Sequence, residues 1–106
     1  MDNFTIIYKI LKSIESAMDY DEFNIEVISP EVLNVSRKRW EKIIIMLVDA
    51  GYLQNVNIIA PPGQESRIVV GNPKPQITLK GLEYLSENSL MSKAAKALKG
   101  IAEVIS

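Results

Sequence analysis

Apolar residues recur at helical spacing from the start of the chain. Phe4, Ile7, Leu11, Ile14 and Met18 stand three or four positions apart, with Ile10 and Ala17 beside them. Lys9, Lys12, Ser13, Glu15 and Ser16 occupy most of the other side. This spacing predicts an amphipathic helix over 3–18 that buries the apolar stripe in the core. Asp2 or Asn3 is placed to accept the free N–H groups of its first turn. Asp19-Tyr20-Asp21-Glu22 then breaks the pattern. Phe23, Ile25 and Val27 alternate with Asn24 and Glu26, which predicts a short strand over 23–27. Ser29-Pro30 is a helix start, with serine as N-cap and proline where a missing N–H costs nothing. Asn34-Val35-Ser36 predicts a turn and a second cap, opening a helix from Ser36 to about Ala50. Trp40, Ile43, Ile44, Leu47 and Val48 form its expected buried face. Lys38, Glu41, Lys42, Ile45 and Asp49 would then point outward, with Gly51 ending the helix.

Beyond Gly51 the period shortens. Residues 52–59 and 67–70 read as two strands of a hairpin, and Pro62-Gly63 suits the centre of a type II turn at its tip. Gly71 to Pro75 forms a stiff connector. Thr78 caps a further helix that turns Leu82 and Leu85 inward and is interrupted at Asn88-Ser89. A last helix over about 90–104 carries Leu90, Ala94, Leu98, Ile101 and Ile105 on one face, with Lys93, Lys96 and Lys99 off it.

The order is helix, strand, helix, turn, helix, β-hairpin, helices. It predicts an α+β fold of the winged-helix kind, with the helix–turn–helix at 29–50 and the wing at 52–70. Residues 1–88 make the winged-helix domain. Residues 89–106 form a C-terminal helical extension that either packs on it or pairs with a second copy across a two-fold axis through Leu90, Ala94, Leu98, Ile101 and Ile105. The segment Ile77-Thr78-Leu79-Lys80-Gly81-Leu82-Glu83-Tyr84-Leu85 resembles the "LTxxGxxYL" stretch that follows the wing in many bacterial winged-helix proteins. With the opening helix, the Gly51-Tyr52 exit and a lysine-bearing tail beginning near Ser92-Lys93-Ala94, the whole chain resembles the YjcQ-like proteins of bacteria and phages. That resemblance implies a phage or prophage origin and a suggested phage-head association. It implies no catalytic motif.

Composition narrows the chemistry. The 106 residues suit one domain. Histidine and cysteine are both absent, which removes zinc fingers, Cys–His dyads, Ser–His–Asp triads and disulfides. The glycines are scattered rather than gathered into a phosphate loop, and Asp19, Asp21 and Glu22 lack the EF-hand pattern. Neither an enzyme nor a cofactor or metal site is expected. The start of the chain lacks a basic signal region, and the longest apolar run, Ile43 to Val48, is six residues. A cytoplasmic protein without a membrane partner is therefore expected.

The net charge of −1 withholds the overall sign of nucleic-acid binding, but the charges are separated along the chain. Acids Asp19, Asp21, Glu22 and Glu26 precede the helix–turn–helix, while Arg37, Lys38, Arg39 and Lys42 crowd its longer helix, the third of the fold. Free N–H groups and bases at one helix start suit a phosphate. The candidate contacts to double-stranded DNA are thus Arg37, Lys38, Arg39 and Lys42, with Arg67 at the foot of the wing. Against them stand Glu41 and Asp49 on the same outward face, an acidic wing tip at Glu65, and Ile45 in solvent. Those features leave open a second reading, an interaction module that docks a phage or host protein without touching DNA.

Overall fold

The computed structural model describes residues 2–71 and 74–88. Helix α1 (Asn3–Ser16) begins where Asp2 Oδ1 accepts the Thr5 N–H at 2.8 Å. It passes into a 3₁₀ turn, Ala17–Asp19, and Tyr20 returns to extended backbone. The buried stripe is Ile6, Ile10 and Ile14, with Leu11 beside it. Phe4 and Met18, expected in the core, are 74% and 61% exposed. Phe4 stands in the first turn, at the edge of the arc centred on Ile10. Met18 falls in the 3₁₀ turn, where the tighter winding no longer carries it onto the α-helical stripe.

Residues 23–27 do not form the expected strand. Ile25–Ile28 is a 3₁₀ helix. Asn24 decides this locally: its side chain accepts the Glu26 N–H at 3.1 Å and its carbonyl accepts the Val27 N–H at 3.2 Å. Such a turn withdraws the backbone groups a ladder needs. Burial follows the threefold repeat, with Ile25 half-buried, Ile28 fully buried and Val27 exposed.

The helix–turn–helix forms as its capping residues direct. Ser29 Oγ accepts the Val32 N–H at the start of α2 (Pro30–Leu33). Asn34 ends α2 in the left-handed conformation at φ 56°. Ser36 Oγ accepts the Arg39 N–H at 3.1 Å and opens α3 (Arg37–Asp49). Gly51, at φ 84°, closes α3 with two reverse hydrogen bonds, Gly51 N–H to Val48 O and Tyr52 N–H to Leu47 O. Trp40, Ile43, Ile44 and Leu47 enter the core, and Trp40 Nε1–H donates to the buried Ile28 carbonyl at 2.7 Å.

The expected strand 52–59 is broken in two. β1 (Leu53–Gln54) and β2 (Ile58–Ile59) are separated by Asn55, which takes φ 64° and donates through Nδ2 to the Lys74 carbonyl. β2 pairs antiparallel with β3 (Ile68–Val69), Ile58 opposite Val69, and this is the wing hairpin. At its tip Gly63 has φ 77° and Gln64 N–H bonds Pro61 O at 3.0 Å, the geometry expected of Pro62-Gly63. β1 pairs antiparallel with β4 (Gln76–Ile77), so a strand after the wing completes the second small sheet.

Thr78 caps a helix α4 over 79–88, its hydroxyl accepting from Gly81 N–H at 3.1 Å and donating to Gly51 O. Leu85 is buried and Leu82 half-buried. Asn88, expected as the break, is still helical, and its Nδ2 donates to Tyr84 O at 2.8 Å. The proposed interface residues Leu90, Ala94, Leu98, Ile101 and Ile105, and Lys93, Lys96 and Lys99, lie outside the described residues.

Candidate nucleic-acid interface

The outer side of α3 is set by where the wing lies. β3 packs against α3 along the line of Glu41, Ile45 and Asp49. Ile45 is therefore only 7% exposed, and its expected place in solvent is overturned. The side chain left in solvent is Met46, 52% exposed. Both acids on this helix are engaged by the wing. Glu41 Oε2 accepts the Val69 backbone N–H at 3.1 Å. The Asp49 carboxylate takes both ends of the Arg67 guanidinium, with Nη1 donating to Oδ1 at 3.0 Å and Nη2 to Oδ2. Hydrogen bonding from Arg67 holds the Asp49 carboxyl below its usual range, and the same contact raises the Arg67 guanidinium. Paired planar groups of this kind hold geometry well.

Arg37, Lys38, Arg39 and Lys42 are all in solvent, and among the described residues none of them forms an ion pair with a carboxylate. Lys38, Arg39 and Lys42 gather around a shallow cavity of about 360 Å³ that Asn3, Ser36, Ile43 and Met46 complete. The start of α1 and the start of α3 thus meet at one place. Arg37 points elsewhere, with its guanidinium carbon 5.5 Å from the centre of the Trp40 ring. Arg67 is joined to Asp49 rather than to the basic cluster. The role of Glu41 and Asp49 as acids held by the wing was invisible in helical periodicity, because it depends on which strand lands beside them.

A second cavity of about 620 Å³ lies between the Met18–Phe23 segment and the β1–β4 pair. Asp21 and Glu22 stand at it, but among the described residues no three acidic, His or Cys side chains converge to hold a metal ion. Nor do the described residues include a helix long and apolar enough to cross a membrane.

The fold and the site together define an α+β domain whose element order is compatible with a winged helix and whose helix α3 exposes Lys38, Arg39 and Lys42 at its start. The match of a family model sharpens this. The chain belongs to the YjcQ protein family, whose model covers residues 8–104. Neither a curated protein nor a solved structure matches the chain.

Proposed function

We propose that this protein binds double-stranded DNA through the N-terminal half of α3, as a phage- or prophage-associated regulatory module of the cytoplasm that works as a homodimer. One observation carries the reading. Arg67 of the wing pairs with Asp49, and Glu41 turns to the Val69 N–H while keeping its charge, so among the described residues one unpaired carboxylate rather than two stands against Lys38 and Lys42 on this face. Lys38, Arg39 and Lys42 then stand beside the free N–H groups of the α3 start, where phosphate oxygens are best received. The alternative, a protein-docking module without DNA contact, loses one of its two supports, since Ile45 is buried; the other, the apolar stripe of Leu90, Ala94, Leu98, Ile101 and Ile105, lies outside the described residues.

The test is anisotropy of a labelled mixed-sequence duplex against salt. Three phosphate contacts give a slope of log K against log salt of about −2.7, or about 40-fold weaker binding between about 50 and 200 mM. The Lys38→Ala, Arg39→Ala, Lys42→Ala triple variant should abolish that dependence. Absence of binding by the unaltered protein at about 50 mM salt overturns the reading. The mass in solution decides the dimer.

A further inference from the structure

Arg67 and Asp49 form a bidentate pair that links the wing to the end of α3, with both side chains 47% exposed. Asp49 follows Lys38 and Lys42 at eleven and seven residues, so all three share one face of the helix. The helical rise puts Asp49 about 10 Å beyond Lys42 along the axis. An anionic duplex laid on Lys38 and Lys42 therefore passes close to this carboxylate. Left bare, it would repel the phosphates. We infer that Arg67 serves DNA binding as a positioning and charge-masking residue: it holds and neutralises Asp49 and makes no phosphate contact of its own.

The wing as a whole fits this role. Its second strand and the residue before it deliver two partners to α3, the Arg67 guanidinium to Asp49 and the Val69 N–H to Glu41. Its tip offers Gln64 and Glu65 and no base between Ala60 and Ser66, so it lacks the cation that a strand probing a minor groove presents. The wing acts on α3 from the side. Arg67, read from the sequence as a contact to DNA, becomes the residue that keeps Lys38, Arg39 and Lys42 effective.

This inference rests on the DNA-binding reading, and a charge cycle separates the two. Arg67→Gln, Asp49→Asn and the double variant are compared with the unaltered protein by duplex anisotropy across salt, with thermal unfolding recorded for each. Arg67→Gln should bind about three- to fivefold more weakly at low salt, because a carboxylate is exposed near phosphates. Adding Asp49→Asn should restore both the affinity and the salt slope. A phosphate contact by Arg67 predicts otherwise: the double variant stays weak, and its slope is shallower by about 0.9. That result, or an Arg67→Gln variant that binds like the unaltered protein, overturns the inference while leaving DNA binding in place. A merely structural role predicts that binding and unfolding temperature fall together and that Asp49→Asn rescues neither, which also overturns it. If the unaltered protein binds no duplex, both proposals fall together.

Discussion

Gly81→Ala sets two physical effects against each other. Gly81 lies inside α4, and alanine is the better helix former by about 1 kcal/mol, so propensity alone predicts a more stable protein. The packing predicts the reverse. A Cβ at residue 81 would lie 2.5 Å from the Tyr52 carbonyl oxygen, 2.6 Å from Ile77 Cγ1 and 3.3 Å from Ile77 Cδ1. The oxygen belongs to the backbone and accepts the Thr78 N–H at 3.2 Å, so it cannot move without disturbing the junction of β4 with α4. Ile77 is paired with Leu53 across the β1–β4 ladder and is held there too. Relief requires α4 to shift away by most of an ångström, loosening Leu85 in the core. Overpacking of this kind costs about 1–3 kcal/mol, and strain against fixed backbone belongs at the upper end. After the gain in propensity, a net loss of about 1–2 kcal/mol is expected. Urea unfolding followed by far-ultraviolet circular dichroism measures it as a lower midpoint with an unchanged slope. A Gly81→Ala protein as stable as the original, or more so, refutes the close approach of α4 to Tyr52.

Two further outcomes follow from individual bonds. Trp40→Phe leaves the buried Ile28 carbonyl without its donor and should destabilise by about 2–3 kcal/mol, read as the shift in urea midpoint; a loss under about 0.5 kcal/mol would show that the bond is not made. The N–H groups at the α1 start hold the Asp2 carboxyl below its ordinary 3.8, and Arg67 does the same to Asp49. Their contribution is therefore complete above 3.8 and is lost as pH falls through the lower folded values, because the unfolded chain takes up protons first. Stability measured by urea titration should fall with acid below about pH 4, and less steeply in Asp2→Ala; identical acid limbs would argue against the cap.

Much of the backbone was legible because its determinants are local. Ser29, Asn34, Ser36, Gly51, Pro62-Gly63 and Thr78 all act within three or four residues of themselves, and each does what its type predicts. The strand expected at 23–27 failed for an equally local reason. Asn24 bonds its own neighbours, and an alternation of apolar residues over five positions is too short to distinguish a strand from a 3₁₀ helix that buries Ile25 and Ile28. The family resemblance seen in the Gly51-Tyr52 exit and the Leu79–Leu85 segment agrees with the family model over 8–104. Those residues have a common physical basis, since Gly81 packs on Tyr52 and Thr78 bonds Gly51.

The candidate site divides along the same line. Clustering of Lys38, Arg39 and Lys42 at a capped helix start follows from spacing alone, since residues one, three and four apart share a helix end whatever surrounds it. The fate of the charges around them does not. Periodicity describes a helix as a cylinder and cannot say on which side a hairpin more than a dozen residues later will lie. Only the folded wing decided that Ile45 is covered, that Met46 is exposed, that Glu41 bonds a backbone N–H and that Arg67 joins Asp49 instead of the basic cluster. Pairing between distant residues is set by the packing of whole elements, and on this helix that packing pairs Asp49 with a cation and turns Glu41 toward the wing.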